Sequence, residues 1–138
     1  MTNFFIYEFI RKHLYAVIST VSDKNMPESA LIGIAVSEDL EIVFDTVNSS
    51  RKYKNILQNP NVAIVIGWDN EVTLQLEGTA RELSPEDTSY KELYFDVFPD
   101  AKIRAETWED VVHFVIKPNW VRYSNLNDPN TIEEKIFE

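Results

Sequence analysis

The chain has 138 residues, a length that fits one domain and excludes a two-domain enzyme. It carries 23 acidic against 13 basic residues, a formal net charge of -10 that repels phosphate polymers and anionic membranes, so neither nucleic acid nor membrane is an expected partner. Cysteine is absent and there are two histidines, which excludes thiolate and His-rich metal sites; no metal is expected. No signal peptide or membrane-spanning stretch is recognisable, and we expect a cytoplasmic protein.

The first half of the chain predicts a helix, a β-meander and a second helix. Apolar residues at helical spacing predict a helix over 2–12. β-Branched and aromatic runs between turn residues predict strands over 14–21, 29–36 and 40–46. Ser49 and Ser50 are typical helix caps, and Asn59-Pro60 ends the short helix that they begin.

The second half predicts a long hairpin, a helix and a further strand. The hairpin strands cover 62–68 and 72–83, joined at Asp69-Asn70. Ser84-Pro85 indicates a helix start and Phe98-Pro99 its end, followed by a mixed loop that contains Trp108. The last strand is expected over 111–116, with a continuation to residue 123. We expect one domain over 1–126, and an acidic tail or a short helix over 127–138.

About six strands, mostly joined by hairpins, indicate an antiparallel barrel or strongly curved sheet rather than a βαβ fold. The three glycines, Gly33, Gly67 and Gly78, are isolated within predicted strands and form no phosphate-binding loop. Rossmann and P-loop chemistry are therefore excluded.

The most informative segment is 49–54, Ser-Ser-Arg-Lys-Tyr-Lys, where three basic residues of an acidic protein cluster at a predicted helix start. Free backbone N–H groups, the helix dipole, serine hydroxyls and a guanidinium together suit a phosphate monoester. The alternative is a solvated helix face that balances nearby carboxylates.

The order of features resembles the pyridoxamine 5'-phosphate oxidase-like family of flavin-binding split barrels. The resemblance rests on several motifs in the same order: Val43-Phe44-Asp45-Thr46, Ser50-Arg51-Lys52, Asn59-Pro60-Asn61-Val62, and Glu77-Gly78-Thr79-Ala80-Arg81. It implies a mainly β protein, an antiparallel six-stranded split barrel with peripheral helices, assembled as a homodimer with FMN at the interface.

The resemblance also assigns candidate cofactor-binding residues. Arg51 and Lys52, preceded by Ser50, are similar to the ligands of the FMN phosphate. The strand-end pair along the cofactor corresponds to Asp45 and Thr46. The strand whose backbone passes the isoalloxazine ring contains Ala30, Leu31 and Ile32. Thr73 falls where the family has a flavin-contacting glutamine, and Gln75 follows on the same strand face.

Several departures argue against oxidation of a pyridoxine phosphate. Ala30 and Ala35 stand where the oxidases have an arginine and a lysine, and Ser124 replaces a tryptophan near the C-terminus. The basic segment that would clamp a phosphorylated substrate is absent, and the chain continues into the acidic stretch 127–138.

The sequence therefore predicts an FMN-binding flavoprotein that is a flavin-dependent oxidoreductase on a small-molecule acceptor, with no catalytic residue assigned. A non-catalytic flavin-binding or sensing module, a split barrel using haem or a deazaflavin, and a cofactor-free dimer stay open as alternatives. His113 is interpreted as a hydrogen-bonded strand histidine. Trp68, Trp108 and Trp120 are typical of a core or a subunit interface.

Overall fold

A computed structural model describes residues 1–138 as a sheet of eight strands with four helices. The helices are α1 (Asn3–Arg11), α2 (Arg51–Gln58), α3 (Thr88–Val97) and α4 (Pro99–Thr107). The strands are β1 (Tyr15–Val21), β2 (Pro27–Gly33), β3 (Ala35–Val36), β4 (Ile42–Val47), β5 (Asn61–Ile66), β6 (Val72–Glu82), β7 (Val111–Asn125) and β8 (Thr131–Ile136). No helix is both long and apolar enough to cross a membrane.

The sheet closes on itself through the chain segment that contains β2 and β3. Its strand order is β2-β1-β5-β6-β7-β4-β3, every pairing is antiparallel, and β8 pairs with the second half of β7. The two ends of this order are consecutive in the chain and are separated only by Ile34, so one segment pairs with β1 and then with β4. The mainly β, antiparallel split barrel predicted from the sequence is confirmed.

Alternate side chains along the strands point inward and fill the barrel. Phe44 of β4 and Phe114 of β7 are opposite each other in register, fully buried, and stacked with 5.3 Å between ring centroids. They belong to a core of 20 buried residues, into which α1 inserts Ile6 and Ile10 from one end. Thr2 begins that helix by accepting a 3.0 Å hydrogen bond from the N–H of Phe5.

A second, smaller apolar cluster lies on the other face of β4 and β7, beneath α3 and α4. Val43 and Val115 contribute to it from the strands, and Tyr94 and Ala101 from the two helices. Because side chains alternate along a strand, consecutive residues of β4 serve the two different cores. This division decides where the candidate site residues of β4 point.

Three sequence predictions differ from the structure. The sheet has eight strands, not six, because the second predicted strand breaks at Ile34 and because residues 131–136 form β8 instead of a short helix or a tail. Residues 99–107 form α4 and not a loop, with Pro99 in the first turn. The preceding helix begins after Asp87 and not at Ser84, because the Asp87 carboxylate accepts from the Ser84 N–H at 2.8 Å and closes a turn before the helix.

Candidate cofactor site

The start of α2 is fixed to the end of β4 by two hydroxyl groups. Ser50 is the N-terminal cap, and its Oγ accepts a hydrogen bond from the N–H of Tyr53 at 3.2 Å. The same Oγ accepts from the Thr46 hydroxyl at 3.0 Å. Ser50 thus keeps its own hydroxyl hydrogen free, and the first turn of α2 presents backbone N–H groups beside it.

A small cleft of about 80 Å³ opens between β2 and the first turn of α2. Arg51 and Lys52 enter it from the helix, and Ala30 faces them from β2; the other lining residues are Ile18, Thr20, Glu28 and Ser29. The short side chain of Ala30 leaves room where a longer residue would fill the cleft. The structure therefore brings together three of the residues predicted to bind the cofactor.

Glu28 organises the wall of this cleft. One carboxylate oxygen accepts from Nδ2 of Asn55 at 2.8 Å, and the other accepts from Nη1 of Arg51 at 3.2 Å. Asn55 is buried and also donates to the hydroxyl of Thr20 at 3.0 Å. Asn55 and Thr20 are thus buried and fixed, whereas the Arg51 side chain is 73% exposed and can leave Glu28.

Lys52 differs from Arg51 in having no partner. It is half-buried in the cleft, and no ion pair or side-chain hydrogen bond holds its ammonium group. Burial lowers the pKa of Lys52, and the negative charge of Asp45 opposes this shift. A half-buried, unpaired cation at a helix N-terminus is the chemistry of an anion-binding position.

Asp45 and Thr46, predicted as a pair along the cofactor, point to opposite faces of β4. Thr46 faces α2 through its bond to Ser50, whereas Asp45 faces α3 and accepts a 3.0 Å hydrogen bond from the hydroxyl of Tyr94. Asp45 lines a separate cavity of about 370 Å³ beneath α3 and α4. The alternation of β-strand side chains explains this separation.

The remaining candidates lie on the outer face of the barrel or inside it. Leu31 is 64% exposed on the outer face of β2, while the side chain of Ile32 belongs to the core, so that only its backbone is accessible. Gln75 is exposed on β6, opposite Val65 in register and in the same shallow groove as Trp120. Thr73 precedes it on the same face. Neither Thr73 nor Gln75 lines the cleft of Arg51 and Lys52.

His113 departs from its predicted interpretation as a hydrogen-bonded strand histidine. It is buried on β7 directly opposite Asp45, but its Nε2 atom has no hydrogen-bond partner. The rings of Phe95 and Tyr94 pack edge-on against the imidazole, with centroids at 5.4 and 5.9 Å, and neither residue forms a hydrogen bond with it. Burial is the main cause that lowers the pKa of His113.

Sequence reasoning missed Glu28, Asn55 and Tyr94. A signal existed for two of them: Glu28 precedes Ala30 by two residues and therefore shares its strand face, and Asn55 follows Arg51 by one helical turn. Nothing in the sequence connects Tyr94 to Asp45, because that contact depends on how α3 packs on the sheet.

With the site in view, comparison with known proteins identifies the family. A family model described as pyridoxamine 5'-phosphate oxidase matches residues 5–125. The chain belongs to the pyridoxamine 5'-phosphate oxidase family. A relative from Bacteroides thetaiotaomicron, a pyridoxine/pyridoxamine 5'-phosphate oxidase, is 30% identical over 73 residues, which are 52% of this chain and 34% of that protein. The match thus spans about a third of that relative's length.

Solved structures of the same architecture cover nearly the whole chain. General stress protein 26 from Bacillus anthracis superposes with a TM-score of 0.74 at 22% identity, covering 98% of each chain. A heme binding protein from Mycobacterium smegmatis superposes with a TM-score of 0.83 at 14% identity, covering 99% of this chain and 58% of that one. At these identities the likeness defines the split-barrel fold of this member of the oxidase family.

Proposed function

We propose that this member of the pyridoxamine 5'-phosphate oxidase family is an FMN-binding flavoprotein, and that it is an oxidoreductase acting on a small-molecule acceptor. One observation carries the proposal. Lys52 is half-buried and unpaired in a cleft that it shares with Arg51, at the N-terminus of a helix. An unpaired, half-buried ammonium group is costly for the free protein, and a phosphate monoester offsets that cost.

The donors around the cleft suit the phosphate of FMN. Lys52 and Arg51 supply charge, Ser50 supplies a free hydroxyl hydrogen, and Ala30 leaves space opposite them. The negative charge of Glu28 repels an anion, but its two carboxylate oxygens already accept hydrogen bonds from Asn55 and Arg51. When bound, the flavin supplies a ring that accepts and returns electrons. The protein residues bind the phosphate and expose the backbone of β2 to the ring.

We further propose a homodimer formed through the outer face of the barrel. Strand register aligns two rows across six strands of that face. One row contains Leu31, Val17, Val65, Gln75, Arg122 and Glu134, and the other contains Ser29, Ser19, Ala63, Glu77, Trp120 and Ile136. Such a broad, partly apolar face is typical of an interaction surface.

The dimer also accounts for the position of the two polar candidates on β6. Thr73 and Gln75 lie on the outer face, away from the cleft of Arg51 and Lys52 in their own chain. On this proposal, either residue contacts a flavin held by the partner protomer. On this proposal, each flavin lies at the interface between the two copies.

We propose that the natural substrate is not a pyridoxine phosphate. The side chain at position 35, where the family oxidases have a lysine, is a buried alanine in the small apolar cluster. Ser124 is paired with Ile132 of β8, and the adjacent β8 residues Glu133 and Glu134 add negative charge at that end of the sheet. The cations at that end are already paired, Arg122 with Glu134 and the N-terminal ammonium group with Glu133, so neither is free for a second phosphate.

The proposal is tested by adding cofactors and then substrates to the full chain. FMN, haemin and a deazaflavin are titrated separately, and absorbance and fluorescence report binding; FMN is expected to bind most tightly. The FMN-loaded protein is then mixed with NADH or NADPH, and reduction followed by reoxidation is expected for an oxidoreductase. Bound FMN that is never reduced would favour a flavin-binding or sensing module. Tighter binding of haemin, or turnover of pyridoxine phosphate at about 1 per second or faster, would contradict the assignment.

A further inference from the structure

A cavity separate from the Arg51 and Lys52 cleft lies between the sheet and the helices α3 and α4. Its volume is about 370 Å³, which is within the range of small-molecule sites. The lining includes Tyr15 of β1, Gly33 of β2 and Asp45 of β4, with Tyr94 and Phe98 from the helical side. Arg51 and Lys52 do not line it.

Three aromatic rings form much of the cavity wall. Phe98 lies between Tyr94 and Tyr15, with ring centroids 5.0 and 6.2 Å away, respectively. The absence of a side chain at Gly33 permits this arrangement, since a Cβ there would lie 2.9 Å from Cζ of Phe98 and 3.1 Å from the Tyr94 hydroxyl. Electron-rich ring faces attract organic cations and give no advantage to anions.

Asp45 supplies a carboxylate that forms no ion pair, and its hydrogen-bond partner is uncharged. Its Oδ1 accepts from the Tyr94 hydroxyl at 3.0 Å, and no protein group donates to Oδ2. Burial raises the pKa of Tyr94, which stays a protonated donor, and burial lowers the pKa of His113 directly across on β7, which stays neutral near pH 7. The negative charge of Asp45 is therefore not cancelled by either neighbour.

The other charged groups near the cavity do not make the net charge of its lining positive. Asp100 and Arg104 both line it from α4, and the Arg104 charge reaches the Tyr94 hydroxyl; with Asp45, the lining carries two carboxylates and one guanidinium. Lys52 is close enough for its pKa to respond to Asp45, but its side chain lines the cleft between β2 and α2. The positive charge of Lys91 on α3 helps to lower the pKa of His113, but Lys91 does not line the cavity.

We propose that this cavity is a binding site for a small organic cation, an ammonium group on a compact aromatic or apolar body. The ammonium group would meet the free Oδ2 atom of Asp45, and the body would pack against Tyr15 and Phe98. This site goes beyond the proposed flavin site and shares no lining residue with the Arg51 and Lys52 cleft, so cation binding can be measured on the protein without FMN.

Three probes of similar size test the proposal on the full chain: benzylamine, benzyl alcohol and benzoate. Calorimetric titration is carried out without cofactor and again with FMN. A charge-assisted hydrogen bond predicts that benzylamine binds about tenfold or more tightly than benzyl alcohol, with benzoate weakest. Equal binding of the amine and the alcohol, preferential binding of benzoate, or no binding of any probe would overturn the proposal.

Variants locate the binding site. Asp45→Asn is expected to remove the preference for benzylamine over benzyl alcohol, while Asp96→Asn, which removes the same charge from an exposed position on α3 outside the cavity, is expected to leave it unchanged. Tyr15→Leu changes a half-exposed wall residue and is expected to weaken benzylamine about two- to fivefold. Equal losses of the benzylamine preference in the Asp45 and Asp96 variants would place the amine elsewhere. So would an unchanged preference in the Asp45 variant, or an unchanged benzylamine affinity in the Tyr15 variant. A flavin titration of the Tyr15 variant reports the cofactor site independently, whereas Asp45 also acts on Lys52.

Discussion

Glu28 and Arg51 form an ion pair across the candidate phosphate cleft, with 3.2 Å between the carboxylate oxygen and Nη1. The Arg51 side chain is 73% exposed and the Glu28 side chain 21%, so the carboxylate is the fixed member and the guanidinium the mobile one. A bound phosphate would compete with Glu28 for the same guanidinium. Glu28 therefore limits affinity for the anion while it supports the wall of the cleft through Asn55.

We expect Glu28→Gln to tighten FMN binding. The amide oxygen of glutamine still accepts from Asn55, but the negative charge that competes with the phosphate is removed. The dissociation constant for FMN should fall about three- to tenfold, with riboflavin unchanged, because the lost repulsion acts on the phosphate. Fluorescence titration of both flavins measures the effect, and Glu38→Gln, an exposed carboxylate between β3 and β4, is the charge-matched control. Weaker or unchanged FMN binding in the Glu28 variant would contradict this role.

A charge placed in the outer face of the barrel should prevent dimer formation. Ala63 is exposed on β5 and lies between Ser19 and Glu77 in register, in the middle of the proposed interface. Ala63→Glu buries an unpaired carboxylate beside Glu77 when two copies associate. Burial of an unpaired charge is unfavourable by roughly several kcal/mol. Light scattering at micromolar concentration should show a dimer for the natural chain and a monomer for the variant.

Leu57→Glu serves as the control for that experiment. It introduces the same carboxylate at a leucine that is 58% exposed on α2, away from the two aligned rows. This variant should remain dimeric. A natural chain that is monomeric, or a dimer that persists in Ala63→Glu, would rule out the proposed interface.

The sequence predicted the barrel better than the segments attached to it. Strands with strong β-branched and aromatic runs, and α2 with its serine cap, are found where local patterns place them. Helix α4 was missed because it buries only Ala101, so its sequence shows no apolar stripe. Strand β8 was missed because its residues are mostly exposed, and its pairing depends on an open edge of β7 that is defined only by the tertiary fold.

The candidate site was also predictable only where its residues are close together in the sequence. Ser50, Arg51 and Lys52 are adjacent in sequence at a helix start, so that local chemistry alone brings them together. The relationship of Asp45 to Tyr94 and of Arg51 to Glu28 joins residues that are 49 and 23 positions apart. Those contacts are determined by strand register and helix packing, which no short motif encodes.

Stability should depend on the protonation of His113. Because burial lowers its pKa in the folded state below the ordinary value of 6.5, the unfolded chain binds more protons than the folded chain between those two values. The contribution of neutral His113 to the free energy of unfolding is fully present above about pH 6.5. It is lost as the pH falls toward the folded-state pKa, at up to about 1.4 kcal/mol per pH unit. Urea unfolding of the natural chain and of His113→Phe, at about pH 7.5 and about pH 5.5, measures this difference. Identical losses in both proteins would show that other groups cause the pH dependence.

The binding of FMN and riboflavin to Lys52→Met tests the central claim most directly. Lys54→Met is the matched control, since Lys54 is an exposed lysine of the same helix and does not line the cleft. The loss of one charge-assisted contact to phosphate should weaken FMN about tenfold or more, with riboflavin binding nearly unchanged and the Lys54 variant binding FMN normally. Equal losses for both flavins, or a natural chain that binds FMN no more tightly than riboflavin, would contradict the assignment of this cleft to the cofactor phosphate.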